Sequence, residues 1–468
     1  MTVEEQFPAR ARRAQTSVSA TGCVLNEGSA SAARAGGRPL RMYTLGRFHN
    51  GQHLVLDDRA RRVHCAIVGA TGTGKSTLLD SLMRDDLHSG RGFCLVDPHG
   101  DLAEGIAAAV PPHRIGDVLY FDPTDPTHAV GFSPLSDHGD APVVTANIVS
   151  SFKHVWGESW GPRMEYILGN AVRLLLSNPG ETLVSLPLLL IDRTYRNRLL
   201  SQCTDPAIRT YWTVEYEGYN DRLRSDAIAP IQNKAGVFTN NPLLRDVIGQ
   251  RSTIDFDRII NGKGILIANL SKRMGEEPSH LLGAFLVTAI AQAAQRRATI
   301  PEESRSDFTL YVDEFQNFAT DTFAAILSEM RKWRLNLVVA NQFMGQVPDV
   351  LRQSILGNVG TLVAFRIGAE DAPMIAAQLG STNPPNLTNT PDHHAWVKTF
   401  LGGSPIEPQY LSMLPPQAET RNSLPAVIAR THASHARQRT SVEASIAKLF
   451  PSPEPKKRRR SKKWKVDS

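Results

Sequence analysis

The sequence contains no apolar run long enough to cross a membrane. A membrane-spanning helix needs about 18 or more apolar residues in succession, whereas residues 281–291, the longest candidate, fit a buried helix instead. The N-terminal residues also lack the apolar core of a secretory signal. We therefore expect a cytoplasmic protein without an integral membrane segment.

Cysteine is scarce, with four residues in a chain of 468. Cys23, Cys65, Cys94 and Cys203 show no paired spacing of the kind that binds a metal ion, and Cys65 and Cys94 lie in apolar, strand-like runs. This pattern indicates reduced core thiols in a cytosolic protein rather than a disulfide framework.

Net charge is nearly absent outside the last part of the chain. The whole sequence carries a formal +6, and residues 451–468 contain eight Lys or Arg against two Asp or Glu, so the remainder is neutral. A basic tail that contains Trp464 suits contact with nucleic-acid phosphates or with an anionic membrane surface. Two alternatives stay open. In the first the tail only improves solubility, and in the second it makes peripheral contact with the inner membrane.

Residues 63–76, VHCAIVGATGTGKS, have the form of a buried strand that runs into a glycine-rich phosphate loop. Glycines allow the backbone N–H groups to approach phosphate oxygens closely, and the following helix directs its positive end at the anion. Lys75 would reach the β- and γ-phosphates, and the Ser76 hydroxyl would ligate Mg²⁺. The predicted nucleotide-binding residues are Gly69, Ala70, Thr71, Gly72, Thr73, Gly74, Lys75, Ser76 and Thr77.

A second apolar strand, at residues 308–314, ends in two acids with the sequence FTLYVDE. At the carboxyl end of this strand, Asp313 is placed to hold the Mg²⁺ shell, and Glu314 to orient and deprotonate the water that attacks the γ-phosphate. Because a phosphate loop lies upstream, we interpret the two acids as the catalytic pair of an ATPase rather than as a charge cluster at a helix start.

The remaining pattern predicts an α/β fold with a mostly parallel sheet, because further apolar strands at residues 92–96, 118–121, 265–269, 335–341 and 361–365 alternate with helical stretches. Met164, Ile167, Leu168, Ala171, Val172 and Leu175 recur at helical spacing in a region without strands, and Phe323, Ile326, Leu327 and Met330 stripe another helix. We expect the aromatic residues Trp156, Trp160, Tyr211 and Trp212 to belong to the core. The predicted divisions are a disordered leader (1–40), a P-loop ATPase core in two parts (41–139 and 256–415), a helical insertion (140–255) and an extension with the basic tail (416–468).

In this order, GATGTGKSTLL, VDPHGDL, FDPTDP, the helical insertion, LYVDEFQNFAT, EMRKWRLNL, VVANQ and FRIGAEDA resemble the conjugative DNA-transfer and type IV secretion coupling ATPases, and also the related HerA and FtsK DNA pumps. The resemblance runs from about residue 45 to about residue 415. It implies a RecA-like motor core and a homohexameric ring. It also implies passage of single-stranded or duplex DNA, driven by ATP hydrolysis with Mg²⁺ as the cofactor. It further implies that Gln342 senses the γ-phosphate and that Arg331, with Arg366 as the second candidate, enters the neighbouring subunit's site.

Several features of those families are missing from this sequence. Membrane-bound coupling proteins begin with membrane helices, HerA has a β-barrel before its phosphate loop, and FtsK-like pumps end in a winged helix. We therefore expect a soluble, coupling-protein-like ATPase with secretion-channel or relaxase-type protein partners. The alternative function is a nucleotide-dependent scaffold that delivers DNA or protein to a secretion channel without processive translocation.

Overall fold

A computed structural model of the chain describes residues 24–25, 34–35, 38–39, 43–136, 139–320, 323, 327–380, 382–401, 403–417 and 421–450. The basic tail at residues 451–468, most of the predicted disordered leader, and Ile326 of the second helix stripe lie outside these residues. For them the sequence-based expectations stay predictions.

The described part of the chain is built around a twelve-stranded sheet. In chain order its strands are β1 (Val24–Leu25), β2 (Tyr43–Arg47), β3 (His53–Leu56), β4 (Cys65–Val68), β5 (Gly92–Asp97), β6 (Val118–Phe121), β7 (Ile265–Asn269), β8 (Phe308–Val312), β9 (Leu335–Asn341), β10 (Thr361–Ala364), β11 (His394–Lys398) and β12 (Gln409–Ser412). Across the sheet they are ordered β1-β3-β2-β12-β11-β10-β4-β9-β8-β5-β7-β6.

Seven neighbouring strands, from β10 to β6, pair in parallel, and the other five pair antiparallel. Every residue of β4, β8 and β9 is buried, as expected for parallel strands covered on both faces. The predicted α/β fold with a mostly parallel sheet is confirmed. The acid-bearing strand β8 is not adjacent to the P-loop strand β4, because β9 lies between them.

Helices cover both faces of the sheet and fill the chain between β6 and β7. The α-helices are Asp58–Arg61, Lys75–His88, Asp101–Ala109, Ala141–Trp156, Pro162–Leu176, Leu186–Ile191, Arg193–Gln202, Pro206–Thr210, Asp221–Asn240, Pro242–Ile248, Phe256–Asn261, Glu276–Arg296, Asp349–Asn358, Ala372–Leu379, Pro384–Thr388, Leu424–His435 and Arg439–Ala447, with a π-helix at Tyr211–Tyr216. The structure also contains short 3-10 helices and three small two-stranded ribbons, Arg34–Ala35 with Arg38–Pro39, Phe400–Leu401 with Ser404–Pro405, and His128–Val130 with Ala436–Gln438.

The apolar segments behave as the sequence predicted. Residues 281–291 are buried within the helix Glu276–Arg296. Tyr211 and Trp212 are also buried, in the core of the helical region, and Trp156 and Trp160 pack half-buried against that core. Among the described residues, no helix combines the length and apolar character needed to cross a bilayer.

Residues 421–450, here called the C-terminal segment, fold back onto the edge of the sheet. The helix Leu424–His435 packs beside β6, where the Tyr120 backbone N–H donates to Thr431 Oγ1 over 3.0 Å. The strand Ala436–Gln438 then pairs antiparallel with His128–Val130. Arg439 forms a buried ion pair of 2.8 Å with Asp246 of the helical region. The segment therefore touches both the sheet and the helices.

Candidate nucleotide site

The predicted phosphate loop connects β4 to the helix Lys75–His88, and its backbone requires glycine. Gly72 and Gly74 have φ values of +79° and +118°, a region that L side chains rarely occupy. At Gly69 the restriction is steric, because a Cβ there would lie 2.6 Å from the Phe365 Cβ. These three positions therefore give the loop its shape.

Backbone hydrogen bonds from three other parts of the chain hold the loop in place. The Gly69 N–H donates to the Asn341 carbonyl at the end of β9 (3.2 Å), and the Ala70 N–H donates to the Arg366 carbonyl after β10 (2.8 Å). On the other side, the His393 N–H donates to the Thr73 carbonyl (2.9 Å). His393 lies in no recognisable motif and approaches the loop only in the folded chain, so it was not identified from the sequence.

Lys75 is buried, with 7% of its surface exposed, and its ammonium lies across the loop. Nζ donates to the Gly69 carbonyl (2.6 Å) and to the Ala70 carbonyl (3.2 Å). Burial lowers the Lys75 pKa, while the nearby charges of Glu314 and Asp313 act in the opposite direction. Its present acceptors are neutral carbonyls, and a charged phosphate oxygen is a stronger acceptor for an ammonium group. The loop therefore fits a phosphate chain.

Asp313 follows β8 at the same edge and is 5% exposed. Its pKa is raised to about 6, first by burial and then by the negative charges of Asp97 and Glu314; the Glu314 N–H, which donates to Asp313 Oδ1 over 3.0 Å, and Lys75 act against this shift. A buried carboxylate beside two other carboxylates lacks balancing positive charge, and a divalent cation supplies it. The donor set therefore fits Mg²⁺.

Asp97, at the end of β5, is the third carboxylate and is fully buried. Its two oxygens accept hydrogen bonds from the backbone N–H groups of His99 (2.9 Å), Gly100 (3.0 Å) and Ala103 (2.9 Å) at the start of the helix Asp101–Ala109. Because these bonds fix it, Asp97 acts on the site through its charge on Asp313. Its position at the end of a buried strand was the signal in the sequence that could have identified it.

Glu314 has backbone angles of φ 47° and ψ 53°, in the left-handed region that non-glycine residues rarely adopt. Its carboxylate accepts a hydrogen bond from Gln316 Nε2 (2.7 Å), and Gln316 Oε1 accepts one from Asn341 Nδ2 (2.6 Å). Asn341 is buried at the end of β9. Glu314 is thus oriented by a chain of two amides that the sequence reasoning missed, although both lie within the LYVDEFQNFAT and VVANQ motifs.

Gln342 and Arg366 follow β9 and β10 and complete the same edge. Gln342 Nε2 donates to Thr71 Oγ1 of the loop over 2.8 Å. Arg366 forms a 2.8 Å ion pair with Asp392, and both side chains are substantially exposed. Because the Arg366 carbonyl accepts a hydrogen bond from the Ala70 N–H, the Arg366 backbone lies beside the phosphate loop of its own chain.

Arg331 is the one predicted site residue that the fold separates from the others. It lies exposed on the short 3-10 helix Met330–Trp333, immediately before β9, whereas Gln342 follows the same strand. At about 3.3 Å per residue, seven strand residues put the two ends about 20 Å apart. Arg331 therefore cannot reach the phosphate loop of its own chain.

The chain has the fold of a P-loop NTPase of the coupling-protein type. Residues 45–128 match the sequence profile of the helicase HerA central domain. The bacterial conjugative coupling protein TrwB, in its TrwBdeltaN70 form, superposes with a TM-score of 0.58 and 18% identity, covering 86% of this chain and 94% of that one. VirB4 of Thermoanaerobacter pseudethanolicus gives 0.57 and 12%, covering 82% and 98%.

A further solved structure shows TrwB in complex with ADP and Mg²⁺, with a TM-score of 0.57, 18% identity, and 86% and 95% of the two chains covered. No curated protein matches by sequence. The resemblance drawn from the motifs is thus confirmed, in the fold over most of the chain and in the family profile over residues 45–128.

Proposed function

We propose that this protein is an ATP-hydrolysing motor that pumps DNA through a homohexameric ring, as the motifs implied. The observation that carries ATP hydrolysis is the meeting of Lys75, Asp313, Glu314 and Gln342 at the carboxyl ends of the parallel strands, and the resemblance to the DNA-transfer ATPases carries the DNA pump. In this proposal residues 41–139 and 256–415 are the motor core and residues 140–255 are an insertion. The TrwB complex with ADP and Mg²⁺ supports ATP and Mg²⁺ as the ligands.

The candidate site has the groups that phosphoryl transfer to water requires. Lys75 and the loop N–H groups bind the phosphates, and Ser76, exposed at the start of its helix, joins Asp313 as the metal-holding pair. Mg²⁺, when bound, neutralises charge on the phosphate oxygens. Glu314 orients the attacking water and takes its proton, and the amide chain through Gln316 holds the carboxylate in place.

The position of Arg331 is an argument for the proposed ring. It is exposed and lies about 20 Å from the phosphate loop of its own chain, so a role in hydrolysis requires a second copy of the chain. An arginine supplied by a neighbour stabilises the charge that develops on the transferred phosphate, an effect of about 10³ to 10⁵ in rate where it has been measured. Arg366, which lies beside its own loop, is better suited to act within one subunit.

The test is the ATPase rate of the full chain measured without nucleic acid, with single-stranded DNA and with duplex DNA. A DNA motor hydrolyses faster on the form of DNA that it moves along, and it displaces a block such as streptavidin from biotinylated DNA. Lys75→Ala is the matched inactive control. Hydrolysis that no DNA stimulates, together with no displacement, would reject the motor and favour the scaffold that delivers substrate to a secretion channel.

Partners and location follow from the same proposal. A coupling-protein-like motor works between a DNA-processing complex and a secretion channel, so relaxase-type and channel proteins are the expected partners. The expected location is the cytoplasm, with peripheral contact at the inner membrane as the alternative. Binding of single-stranded DNA in preference to duplex would point to a processed DNA substrate.

A further inference from the structure

A second cluster of metal-binding side chains lies away from the nucleotide site. Asp125 and His128 belong to the loop and ribbon after β6, and His432 belongs to the helix Leu424–His435 of the C-terminal segment. One ligand atom from each lies within 4.8 Å of the other two. The cluster therefore joins two parts of the chain that are 307 residues apart.

Hydrogen bonds hold the three side chains close together. Asp125 Oδ1 accepts the backbone N–H groups of Thr127 and His128, both over 2.8 Å, while Oδ2 lies 2.7 Å from His432 Nε2. His128 Nδ1 lies 2.9 Å from Thr127 Oγ1, a contact that helps to hold the ring. The two imidazole rings stack with their centres 4.0 Å and their planes 19° apart, so one ring must turn for both nitrogens to point at a shared ion. Such outer hydrogen bonds are the means by which proteins fix metal-binding rings.

Two imidazoles and one carboxylate suit a borderline transition metal such as Zn²⁺, whereas hydroxyl and carboxylate oxygens suit Mg²⁺. A cavity of about 30 Å³ adjoins the three side chains and is lined also by Tyr120 and Asp122. A cavity of about 10–15 Å³ is sufficient for one water molecule. There is therefore room for a fourth, water ligand.

We propose that Asp125, His128 and His432 form a Zn²⁺ site that fastens the C-terminal segment to the sheet. All three residues are half-buried, so an ion has access from solvent. The bound ion replaces the direct contact between Asp125 and His432 with two bonds to the metal, and the proton that lies between them is released to solvent. Since the basic tail follows the C-terminal segment, the site also fixes the point from which the tail departs.

Zn²⁺ is titrated into the full chain without nucleotide or Mg²⁺, in competition with a chromophoric chelator. The wild-type chain should bind one Zn²⁺ at this site, and its Tm should rise by a few °C at a free Zn²⁺ concentration of about 100 times Kd. His432→Ala and Asp125→Asn should each weaken binding by at least about tenfold. His113→Ala, an exposed histidine outside the cluster, is the matched control and should bind like the wild type.

Co²⁺ gives a second readout, because a four-coordinate site gives much stronger visible absorption than six-coordinate Co²⁺ bound nonspecifically. If His432→Ala does not fold, His128→Asn tests the site without altering the helix of the C-terminal segment. Equal Zn²⁺ affinity in wild type and cluster variants, or no shift in Tm and no Co²⁺ spectrum in the wild type, overturns the proposal. The cluster would then be only an ion pair between Asp125 and His432.

Discussion

If Asp313 ligates Mg²⁺ as proposed, its raised pKa makes metal binding at the nucleotide site depend on pH. With a pKa of about 6, the carboxylate is about nine-tenths ionised at pH 7 and about one-tenth ionised at pH 5. Only the ionised form ligates Mg²⁺, so protons and metal compete for it. We expect the Mg²⁺ concentration for half-saturation to rise about tenfold from pH 7 to pH 5.

Calorimetric titration of Mg²⁺ into the protein with a non-hydrolysable ATP analogue measures this change. The terminal phosphate of the analogue also titrates near pH 6, so the protein contribution must be separated from it. Asp313→Asn is the matched variant for this purpose, because it keeps the nucleotide and removes the titrating carboxylate. The fold-change in wild type relative to Asp313→Asn is the quantity predicted.

The sign of the effect is fixed by its cause. Burial and the charges of Asp97 and Glu314 favour the protonated acid, so binding must weaken as pH falls and must recover when Mg²⁺ is raised. The reasoning fails if wild type and Asp313→Asn show the same dependence on pH. It also fails if half-saturation is constant between pH 7 and pH 5.

Four further predictions concern turnover, the ring and the tail. Glu314→Gln should keep ATP binding and lose about two orders of magnitude or more in turnover, and full activity would remove Glu314 from the mechanism. Gln316→Ala should lower kcat about 10- to 100-fold with little change in nucleotide affinity, because it frees the Glu314 carboxylate to move. Equal losses in kcat and in nucleotide affinity would indicate a folding defect instead. Arg331→Ala chains mixed with Lys75→Ala chains should recover activity at interfaces that combine an intact Arg331 with an intact loop. A mixture no better than its parts would mean that Arg331 does not act between subunits. Deleting residues 452–468 should lower the slope of log affinity for single-stranded DNA against log salt concentration by about 3 to 4 units, if about five of the eight cations contact phosphates. Basal ATPase activity should survive the deletion. An unchanged slope would favour a membrane or partner role for the tail.

Local patterns in the sequence were sufficient to predict the phosphate loop and the strands around it. A glycine at a fixed spacing, or a buried strand that ends in two acids, can be recognised from a few adjacent residues. The α/β fold, the buried helix at residues 281–291 and the core position of Trp212 follow from the same kind of information. The roles assigned to Glu314, Gln342 and Arg331 stay predictions.

Contacts between distant parts of the chain could not be read in this way. Nothing local indicates that β9 inserts between β4 and β8, yet this order brings Asn341 to Gln316 and separates Arg331 from its own loop. The hydrogen bond from the His393 N–H to the Thr73 carbonyl likewise joins two residues that are separated by more than half of the chain. Such pairings are set by the packing of the whole sheet, where each strand selects its neighbour by burial and twist.

The helix Leu424–His435 has a consequence for aggregation. β6 is the last strand of the sheet, and the edge of such a strand is a template on which another chain can add a strand. Here the helix covers that edge, and Thr431 takes up the Tyr120 N–H that would otherwise be available. A protein shortened before residue 421 would present an apolar, uncovered strand to its neighbours. A shortened form of the protein for work in solution should therefore keep residues 421–450 and end at residue 450, just before the basic tail.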